Sequence, residues 1–455
     1  MKFARLFSQD DAARLLAPGD LAELARFLAI PSISADPAYA PAVVDAAGWV
    51  ADRVRAAGGQ AEVVDWNGSP LVDALVPAST GGSKAPTVLC YGHFDVQPPA
   101  PLEQWHSDPF TATLADEWLV ARGVADDKGQ LWALLAAATR LREEGALPVN
   151  VRFCCDGEEE VGGGAIVEFL EENAGSPVAC LIFDTPMLDR ETHVFTTATR
   201  GTLSMHVEVR TGARDLHSGI YGGAALNALH VLVRAVSNLF ADDASLVEEL
   251  HVHAESAPED ELATWAALRP GGELLAEQGA APADPRAGKE LYVRTWERPS
   301  LDVNGIEGGS PVQQKTIVVA EARANLSMRL AAGQSAHALF PVVERVLRRG
   351  LPEAAQLELT LLSACDPGRV PADAPAVEAA AAAFERALGR RPLLLRSGGS
   401  LPIMPLLERL AIPGIVTGFA VPDSNMHAPN ERMRTTDLAD AVAAASETFV
   451  ALAGV

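Results

Sequence analysis

The chain has 455 residues, which is too long for one hydrophobic core, so we expect two domains. Its formal net charge is −24, and a surface of that sign repels nucleic acid and anionic membranes, so neither is expected as a partner. No apolar run approaches the roughly 20 residues of a membrane span, and residues 1–5 lack the apolar core of a signal peptide. The five cysteines lie mostly in apolar runs, which indicates reduced core residues of a cytoplasmic protein.

The first 200 residues alternate between helical and extended patterns. Predicted helices cover residues 21–28, capped by Asp20, and residues 42–57, 131–141 and 166–170. Predicted strands cover residues 61–64, 71–76, 87–90, 118–121, 149–155 and 181–183. This alternation predicts an α/β fold with a mainly parallel sheet and helices on both of its faces.

The pattern changes between residues 200 and 375. Residues 203–209 alternate apolar and polar side chains, as a strand with one solvated face does. Further strands are predicted at 316–319, 324–330 and 357–362, with helices at 224–239 and 338–348 and short helical pieces within 242–288. From residue 377 the first pattern returns, with strands at 392–395 and 414–418, a helix at 401–409 and a last helix capped near Thr436. We therefore predict a domain of residues 1–200 and 376–455, interrupted by an α+β domain of residues 201–375.

A histidine and an aspartate follow the predicted strand at 87–90. His93 and Asp95 are two residues apart, so on an extended chain their side chains point the same way. A carboxylate beside an imidazole can hold one ring nitrogen and leave the other free for a metal. A strand end with a capping aspartate and a partly buried histidine explains the same residues, and this stretch alone leaves both interpretations open.

Four further stretches with metal-ligand side chains lie at predicted strand ends or in loops. Each also has an ordinary explanation, because acidic residues favour loops and Asp126 stands where it could cap a helix. Together, two histidines and three carboxylates are typical of a two-zinc site, and three carboxylates with one hydroxide balance two divalent cations. A spare carboxylate could then take a proton from water, although spacing does not decide between Glu159 and Glu160. The additional candidates are Asp126, Glu159, Glu160, Asp184 and His427.

Five motifs, in this order along the chain, resemble those of the M20 metallopeptidases, and in particular the dipeptidase branch with the cytosolic carnosinase-like enzymes. They are GHFDVQP at 92–98, GVADDKG at 123–129, EEVG at 159–162, DLHSG at 215–219 and GGSLP at 398–402. The resemblance implies a zinc-exopeptidase-like fold with an inserted lid and dimerisation domain, and a cytoplasmic homodimer. It also implies that two divalent metal ions support the hydrolysis of a dipeptide or short peptide. Zn²⁺ suits the ligand types, and Mn²⁺ or Co²⁺ also fits.

The resemblance also implies a role for each site residue. One metal would be bound by His93, Asp126 and Asp184, and the other by Asp126, Glu160 and His427. The catalytic residues would be Glu159 as general base, Asp95 orienting His93, and His217, which would reach the partner subunit's active site and hydrogen-bond the oxyanion. The substrate's C-terminal carboxylate would contact Arg329, Gly399 and Ser400, with Asn304 as a further candidate. The Asp126–Asp127 peptide is expected to be cis.

Two alternative functions remain open from the sequence. An N-acyl amino acid amidohydrolase would use the same metals and the same carboxylate contacts. A catalytically inactive binding or scaffold homologue would keep the fold but would be expected to have lost metal ligands, and all five are present.

Overall fold

The computed structural model describes residues 16–455, with Ser83 through its backbone only, so the N-terminal residues 1–5 considered above lie outside the described part. The chain divides into two compact units. Unit 1 comprises residues up to Thr197 together with Val370–Leu395 and Leu406–Val455, and unit 2 comprises Ala198–Arg369 with Arg396–Pro405. Within residues 16–455, no helix combines the length and the hydrophobicity that a membrane span requires. The five cysteines are thiols, as predicted, and four of them are buried.

The helices and strands are numbered here in chain order. The helices are α1 Pro18–Leu28, α2 Ala40–Ala56, α3 Lys128–Glu143, α4 Ala165–Asn173, α5 Ser218–Tyr221, α6 Ala228–Ser237, α7 Glu259–Ala266, α8 Gly271–Glu277, α9 Ala336–Leu347, α10 Pro375–Leu388, α11 Ile403–Arg409 and α12 Thr435–Ala451. The strands are β1 Gln60–Trp66, β2 Ser69–Val76, β3 Thr87–His93, β4 Thr113–Ala115, β5 Trp118–Val120, β6 Asn150–Asp156, β7 Ala179–Phe183, β8 Val194–Thr199, β9 Gly201–Arg210, β10 Leu216–His217, β11 Ser300–Glu307, β12 Ile317–Val318, β13 Glu321–Leu330, β14 Gln356–Cys365, β15 Gly368–Arg369, β16 Leu393–Arg396, β17 Gly414–Thr417 and β18 Arg432–Arg434.

Unit 1 is built on a six-stranded sheet with the order β1-β2-β6-β3-β7-β17. Strands β6, β3, β7 and β17 pair in parallel, whereas β1 and β2 join one side in antiparallel pairings. Strands β7 and β17 are buried along their whole length, which is typical of a parallel sheet covered by helices. The predicted α/β class with a mainly parallel sheet is confirmed.

Unit 2 contains a four-stranded antiparallel sheet with the order β11-β13-β9-β14. Strand β9 alternates buried and partly exposed residues, so one face of the sheet is apolar. Its buried residues Leu203, Met205 and Val207 form one core with Val231 of α6 and Val343 of α9. Two small helices, α7 and α8, lie in the acidic stretch 242–288, as predicted.

Two predicted helix starts are wrong, and each error has a local cause. Helix α1 begins at Pro18, so Asp20 lies inside its first turn and accepts a hydrogen bond from Ala17 N at 2.8 Å. Helix α6 begins four residues later than predicted because Asn227 caps it by accepting bonds from two backbone N–H groups. Helix α12 begins at Thr435, within one residue of the position near which its cap was predicted.

Strand β11 was not predicted from the sequence. Residues 303–306 contain Asn304 and Gly305, which favour a turn. In the structure this stretch pairs with β13, and the register shifts between Val303 and Gly305. Asn304 therefore lies at a β-bulge within a strand, not in a turn between elements.

Candidate metal centre

The candidate metal ligands of unit 1 meet at one edge of its sheet, because strands β3, β6, β7 and β17 run in parallel and end there. Strand β3 ends at His93, and the single turn of 3₁₀ helix Glu159–Val161 follows β6. Asp184 directly follows β7, and the loop after β17 carries His427. Asp126 lies in the loop before α3, and its peptide bond to Asp127 is cis, as expected.

Asp126 lies between the two histidines. Its Oδ1 is 2.9 Å from Nε2 of His93, and its Oδ2 is 2.8 Å from Nε2 of His427. Asp184 Oδ1 is 3.8 Å from Nε2 of His93, and Glu160 Oε2 is 3.2 Å from Nε2 of His427. Two groups therefore form, one of His93, Asp126 and Asp184 and one of Asp126, Glu160 and His427, each with ligand atoms within 4.8 Å of one another. Only Asp126 belongs to both groups.

The residues of these two groups fit a pair of divalent cations. Imidazole nitrogens and carboxylate oxygens are ligands that Zn²⁺, Mn²⁺ and Co²⁺ accept. The Oε1 atom of Glu160 is buried and has no hydrogen-bond partner among the described residues. Buried oxygens are normally paired, and a cation would satisfy this one.

The pKa shifts of the ligands indicate excess negative charge. Burial alone would raise the pKa of Asp126, but hydrogen bonds from His427 and His93 lower it well below its usual value. Hydrogen bonds to Asp126 and Glu160 raise the pKa of His427 to about 10. Burial would lower the pKa of His93, yet its bonds to Asp126, Asp184 and Asp95 raise it well above the usual value. Cations bound here would neutralise the charge that now favours the protonated imidazoles.

Asp95 connects the first histidine to the glutamate turn. Its Oδ1 is 3.2 Å from His93 Nδ1, and both residues are fully buried. The same carboxylate accepts hydrogen bonds from Ser34 Oγ at 2.6 Å and from the backbone N–H groups of Glu159 at 3.3 Å and Glu160 at 3.1 Å. Asp95 therefore holds the imidazole ring and the Glu159–Glu160 backbone in one hydrogen-bond network.

Glu159 is next to the candidate ligand Glu160 but is not a member of either group. Burial, together with the charges of Asp184 and Asp126, raises the pKa of Glu159 to about 8. A carboxylate whose pKa lies near neutrality can accept a proton and release it again. Glu160 is held by Gln97, whose Nε2 donates to Glu160 Oε2 at 2.8 Å. The structure thus separates the two glutamates, which spacing alone left equivalent.

The predicted carboxylate-binding residues lie in unit 2. Arg329, on β13, donates from Nη1 to Ser400 Oγ at 2.8 Å. Arg200 is 9% exposed, and its Nε donates to Gly398 O at 3.0 Å while its backbone N–H donates to Gly399 O at 3.0 Å. Neither arginine forms an ion pair with any residue in 16–455. Burial, and then the charge of Arg329, lowers the pKa of Arg200 to about 10. Two neighbouring guanidinium groups that form no ion pair with a carboxylate of the described residues are suited to bind an anion.

His217 and Asn304 are both exposed in unit 2. His217 lies at the end of β10, and its Nδ1 accepts a hydrogen bond from Gly219 N at 3.0 Å. A neutral ring with Nδ1 as acceptor carries its proton on Nε2, which leaves Nε2–H free to donate. Asn304 makes no side-chain hydrogen bond to the described residues.

Three buried residues of these sites were missed from the sequence: Arg122, Arg200 and Glu431. Arg122 directly precedes the GVADDKG motif and Glu431 follows His427 by four residues, and Arg122 Nη1 is 2.7 Å from Glu431 Oε2. No motif could have revealed this contact from the sequence, because 309 residues separate the two partners. Arg200 precedes Gly201, and no sequence motif around it indicates a functional residue.

Comparison with known proteins finds similar sequences over most of the length of this chain. The model of peptidase family M20/M25/M40 matches residues 89–451. A cysteinylglycine-S-conjugate dipeptidase of Corynebacterium striatum is 28% identical over 441 residues, covering 93% of each chain. The human Beta-Ala-His dipeptidase is 26% identical over 408 residues, covering 84% of this chain and 80% of the human one.

Among solved structures, the M20 family metallo-carboxypeptidase Sso-CP2 of Sulfolobus solfataricus is similar with a TM-score of 0.84 and 25% identity, over 96% of this chain and 99% of that one. The predicted zinc-exopeptidase-like fold and the resemblance to the dipeptidase branch are confirmed, and with them the prediction of an enzyme. The matched length and the full-length relatives together show that this chain belongs to peptidase family M20/M25/M40.

Proposed function

We propose that this protein is a two-metal dipeptidase that hydrolyses a dipeptide or short peptide with a free C-terminal carboxylate. The observation that carries the proposal is Asp126, whose two oxygens each face a different histidine within two adjacent ligand groups. A carboxylate shared by two ligand groups suits a pair of metal ions about 3.5–4 Å apart. The names of relatives, a Cys-Gly-conjugate dipeptidase and a Beta-Ala-His dipeptidase, support the substrate class.

Metal ions bound here would polarise the scissile carbonyl and lower the pKa of water, and Zn²⁺ suits the ligands best. The Glu159 carboxylate accepts a proton from the attacking water as the new C–O bond forms. It then donates this proton to the amine nitrogen as the C–N bond breaks, so the proton count balances. The Nε2–H of His217 suits a donor to the oxyanion.

We further propose that Arg329, Ser400, Gly399 and Asn304 bind the substrate carboxylate. The Arg329–Ser400 contact and the absence of an acidic partner for Arg329 in residues 16–455 support this role. An arginine that holds the C-terminal carboxylate limits how far the substrate extends beyond the scissile bond, which favours exopeptidase action.

Unit 2 is proposed as a lid and as the contact surface of a homodimer. Strands β11 and β14 are the two edges of its four-stranded sheet, and Leu361 and Leu362 on β14 are 43% and 59% exposed. Exposed edge strands and apolar side chains are common features of chain–chain contacts. The four buried cysteine thiols fit a reducing, cytoplasmic location.

The test is a substrate panel with metal analysis. Purified protein is loaded with Zn²⁺ or Mn²⁺ and assayed on dipeptides, on the same dipeptides with a C-terminal amide, and on N-acyl amino acids. Hydrolysis of free dipeptides with two metal ions per chain supports the proposal. Preference for N-acyl amino acids would assign the chain to the amidohydrolases, and a chain that binds no metal would overturn the hydrolase function altogether.

The general base is tested by Glu159→Ala. Because Glu159 belongs to neither ligand group, the variant should keep the metal content of the wild type. Loss of the proton acceptor should lower kcat by about 10²–10⁴-fold, measured with the best dipeptide of the panel. If the variant keeps near wild-type kcat, Glu159 is not the base.

A further inference from the structure

The carboxylate of Glu431 is fully buried, and the residue lies only four positions after the candidate ligand His427. Its Oε1 accepts hydrogen bonds from the backbone N–H groups of Ala125 at 2.8 Å and Asp126 at 3.1 Å. Its Oε2 accepts from Gly123 N at 3.0 Å. One side chain from the His427 loop therefore binds the backbone of the loop that carries Asp126.

Arg122 completes this connection. It is 1% exposed, and its Nη1 donates to Glu431 Oε2 at 2.7 Å. Its Nη2 donates to Pro98 O at 3.3 Å and to Ala428 O at 3.4 Å. The backbones of the two segments are also linked directly, because Ala121 N donates a hydrogen bond to Glu431 O at 3.1 Å. Three segments meet at this ion pair: the one that follows His93, the Asp126 loop and the His427 loop.

A fully buried ion pair is costly to form unless other bonds satisfy both groups. Here the Glu431 side chain accepts four N–H bonds, one from Arg122 and three from the backbone of Gly123, Ala125 and Asp126. These bonds hold the backbone of the Asp126 loop against the Glu431 side chain. The position of Asp126 matters because each of its oxygens must face a different ligand group.

We propose that Glu431, with Arg122, is a positioning residue for the metal pair: it sets the backbone of Asp126 and holds the His427 loop against it. The proposal rests on the proposed two-metal function. It does not make Glu431 a metal ligand, since its carboxylate oxygens are occupied by N–H donors.

The experiment compares the metal affinity of three variants with that of the wild type. Glu431→Gln keeps the shape of the side chain but replaces one acceptor oxygen with a donor. Glu431→Asp keeps the charge but shortens the reach to Ala125 and Asp126, and serves if the first variant does not fold. The control is Asp437→Asn, because Asp437 is 3% exposed and is paired with Arg434 at 2.7 Å, in the same unit and only six residues away.

Each metal-free protein is titrated with Zn²⁺ buffered by a chromophoric chelator, and its Tm is measured with and without Zn²⁺. Both Glu431 variants should bind Zn²⁺ about 10–100-fold more weakly, as removal of groups that orient metal ligands usually does. Their gain in Tm on adding Zn²⁺ should shrink accordingly. Asp437→Asn should lower the Tm of the metal-free protein but keep the wild-type Zn²⁺ affinity.

A purely structural role for Glu431 predicts a different result. Both Glu431 variants would then lose Tm equally with and without Zn²⁺, and their affinity would match the wild type, as in Asp437→Asn. That result, in a folded Glu431 variant, overturns the proposal. A wild type that takes up no Zn²⁺ would overturn the two-metal function itself, so the two failures are distinguishable.

Discussion

Asp126 has the most demanding role of any single residue in the candidate centre, because its carboxylate must serve both ligand groups. Asparagine has one acceptor oxygen, so it could face only one of the two histidines. The neighbouring residues follow the same principle, since each carboxylate has its own contacts: Asp95 holds the His93 ring and the glutamate turn, and Glu160 faces His427. At this scale, chemical identity and orientation matter more than burial.

Arg329 gives a prediction at the residue scale. Replacing it with lysine keeps the positive charge but removes the planar, two-point geometry that suits a carboxylate. For a dipeptide with a free C-terminus, kcat/KM of Arg329→Lys should fall about 10–100-fold, as expected for the loss of one charge-assisted hydrogen bond. For the C-terminal amide of the same dipeptide, the fall should be several times smaller. Equal losses on both substrates would show that Arg329 does not bind the carboxylate.

At the scale of elements, the site depends on how close the ends of neighbouring parallel strands lie to one another. Thr417 is the last residue of β17, and its carbonyl O accepts hydrogen bonds from Asp184 N at 2.8 Å and Thr185 N at 3.2 Å. The end of β17 therefore positions Asp184, the residue that follows β7. The next residue, Gly418, has no room for a side chain, because a Cβ there would lie 1.7 Å from Thr185 O. The glycine thus permits the close approach that puts Asp184 beside His93.

Gly418→Ala should therefore move Thr185 and with it Asp184. We expect a loss of stability of about 1–3 kcal/mol from overpacking, together with weaker Zn²⁺ binding. The matched control is Gly48→Ala in α2, where a Cβ meets nothing within 4 Å. Alanine inside a helix should raise stability by about 0.5–1 kcal/mol and leave Zn²⁺ affinity unchanged. Denaturant midpoints and Zn²⁺ titration of both variants provide the measurement, and unchanged Zn²⁺ affinity in Gly418→Ala would contradict the role of the strand end.

At the scale of the whole molecule, the net charge of −24 affects how stability depends on pH. Lowering the pH neutralises carboxylates and relieves their mutual repulsion. A buried histidine acts in the opposite direction. His193 packs with its ring 4.9 Å from Phe419 and 5.9 Å from Phe384, and burial lowers its pKa to about 4 from the usual 6.5.

The sign of the His193 effect follows from this depressed pKa. Above pH 6.5 the ring is neutral in both folded and unfolded chains, so its contribution to stability is fully present. Below pH 6.5 the unfolded chain takes up a proton that the folded chain resists, and stability is lost until about pH 4. Between pH 7.5 and 5 this amounts to about 2 kcal/mol.

His193→Phe should remove this dependence, because phenylalanine suits the aromatic cluster and does not titrate. Urea midpoints at pH 7.5 and 5 should show the wild type losing more stability than the variant, by about 2 kcal/mol. Because both proteins have the same carboxylates, the contribution of these groups to the pH dependence of stability cancels in the comparison. Identical pH dependence of the two proteins would show that folding does not lower the pKa of His193.

The amino-acid sequence by itself was sufficient for the class of fold and for naming the candidate metal-binding side chains that the structure brings together. Apolar periodicity within short windows identified strands β3, β6, β7 and β17 and helix α3, because strand and helix preferences act over a few neighbouring residues. The chemistry of His93, Asp126, Glu160, Asp184 and His427 could likewise be read from residue type and position. The bulged strand β11 was missed because its Asn-Gly pair favours a turn when read locally.

Only the tertiary structure decided which of these residues face one another. The strand order β6-β3-β7-β17 brings together side chains that are hundreds of positions apart, and Asp126 meets His427 across 301 residues. The same packing pairs Arg122 with Glu431 and distinguishes Glu159 from Glu160 by their partners. No short window contains this information, because contacts between distant segments depend on how whole elements pack and not on local conformational preference.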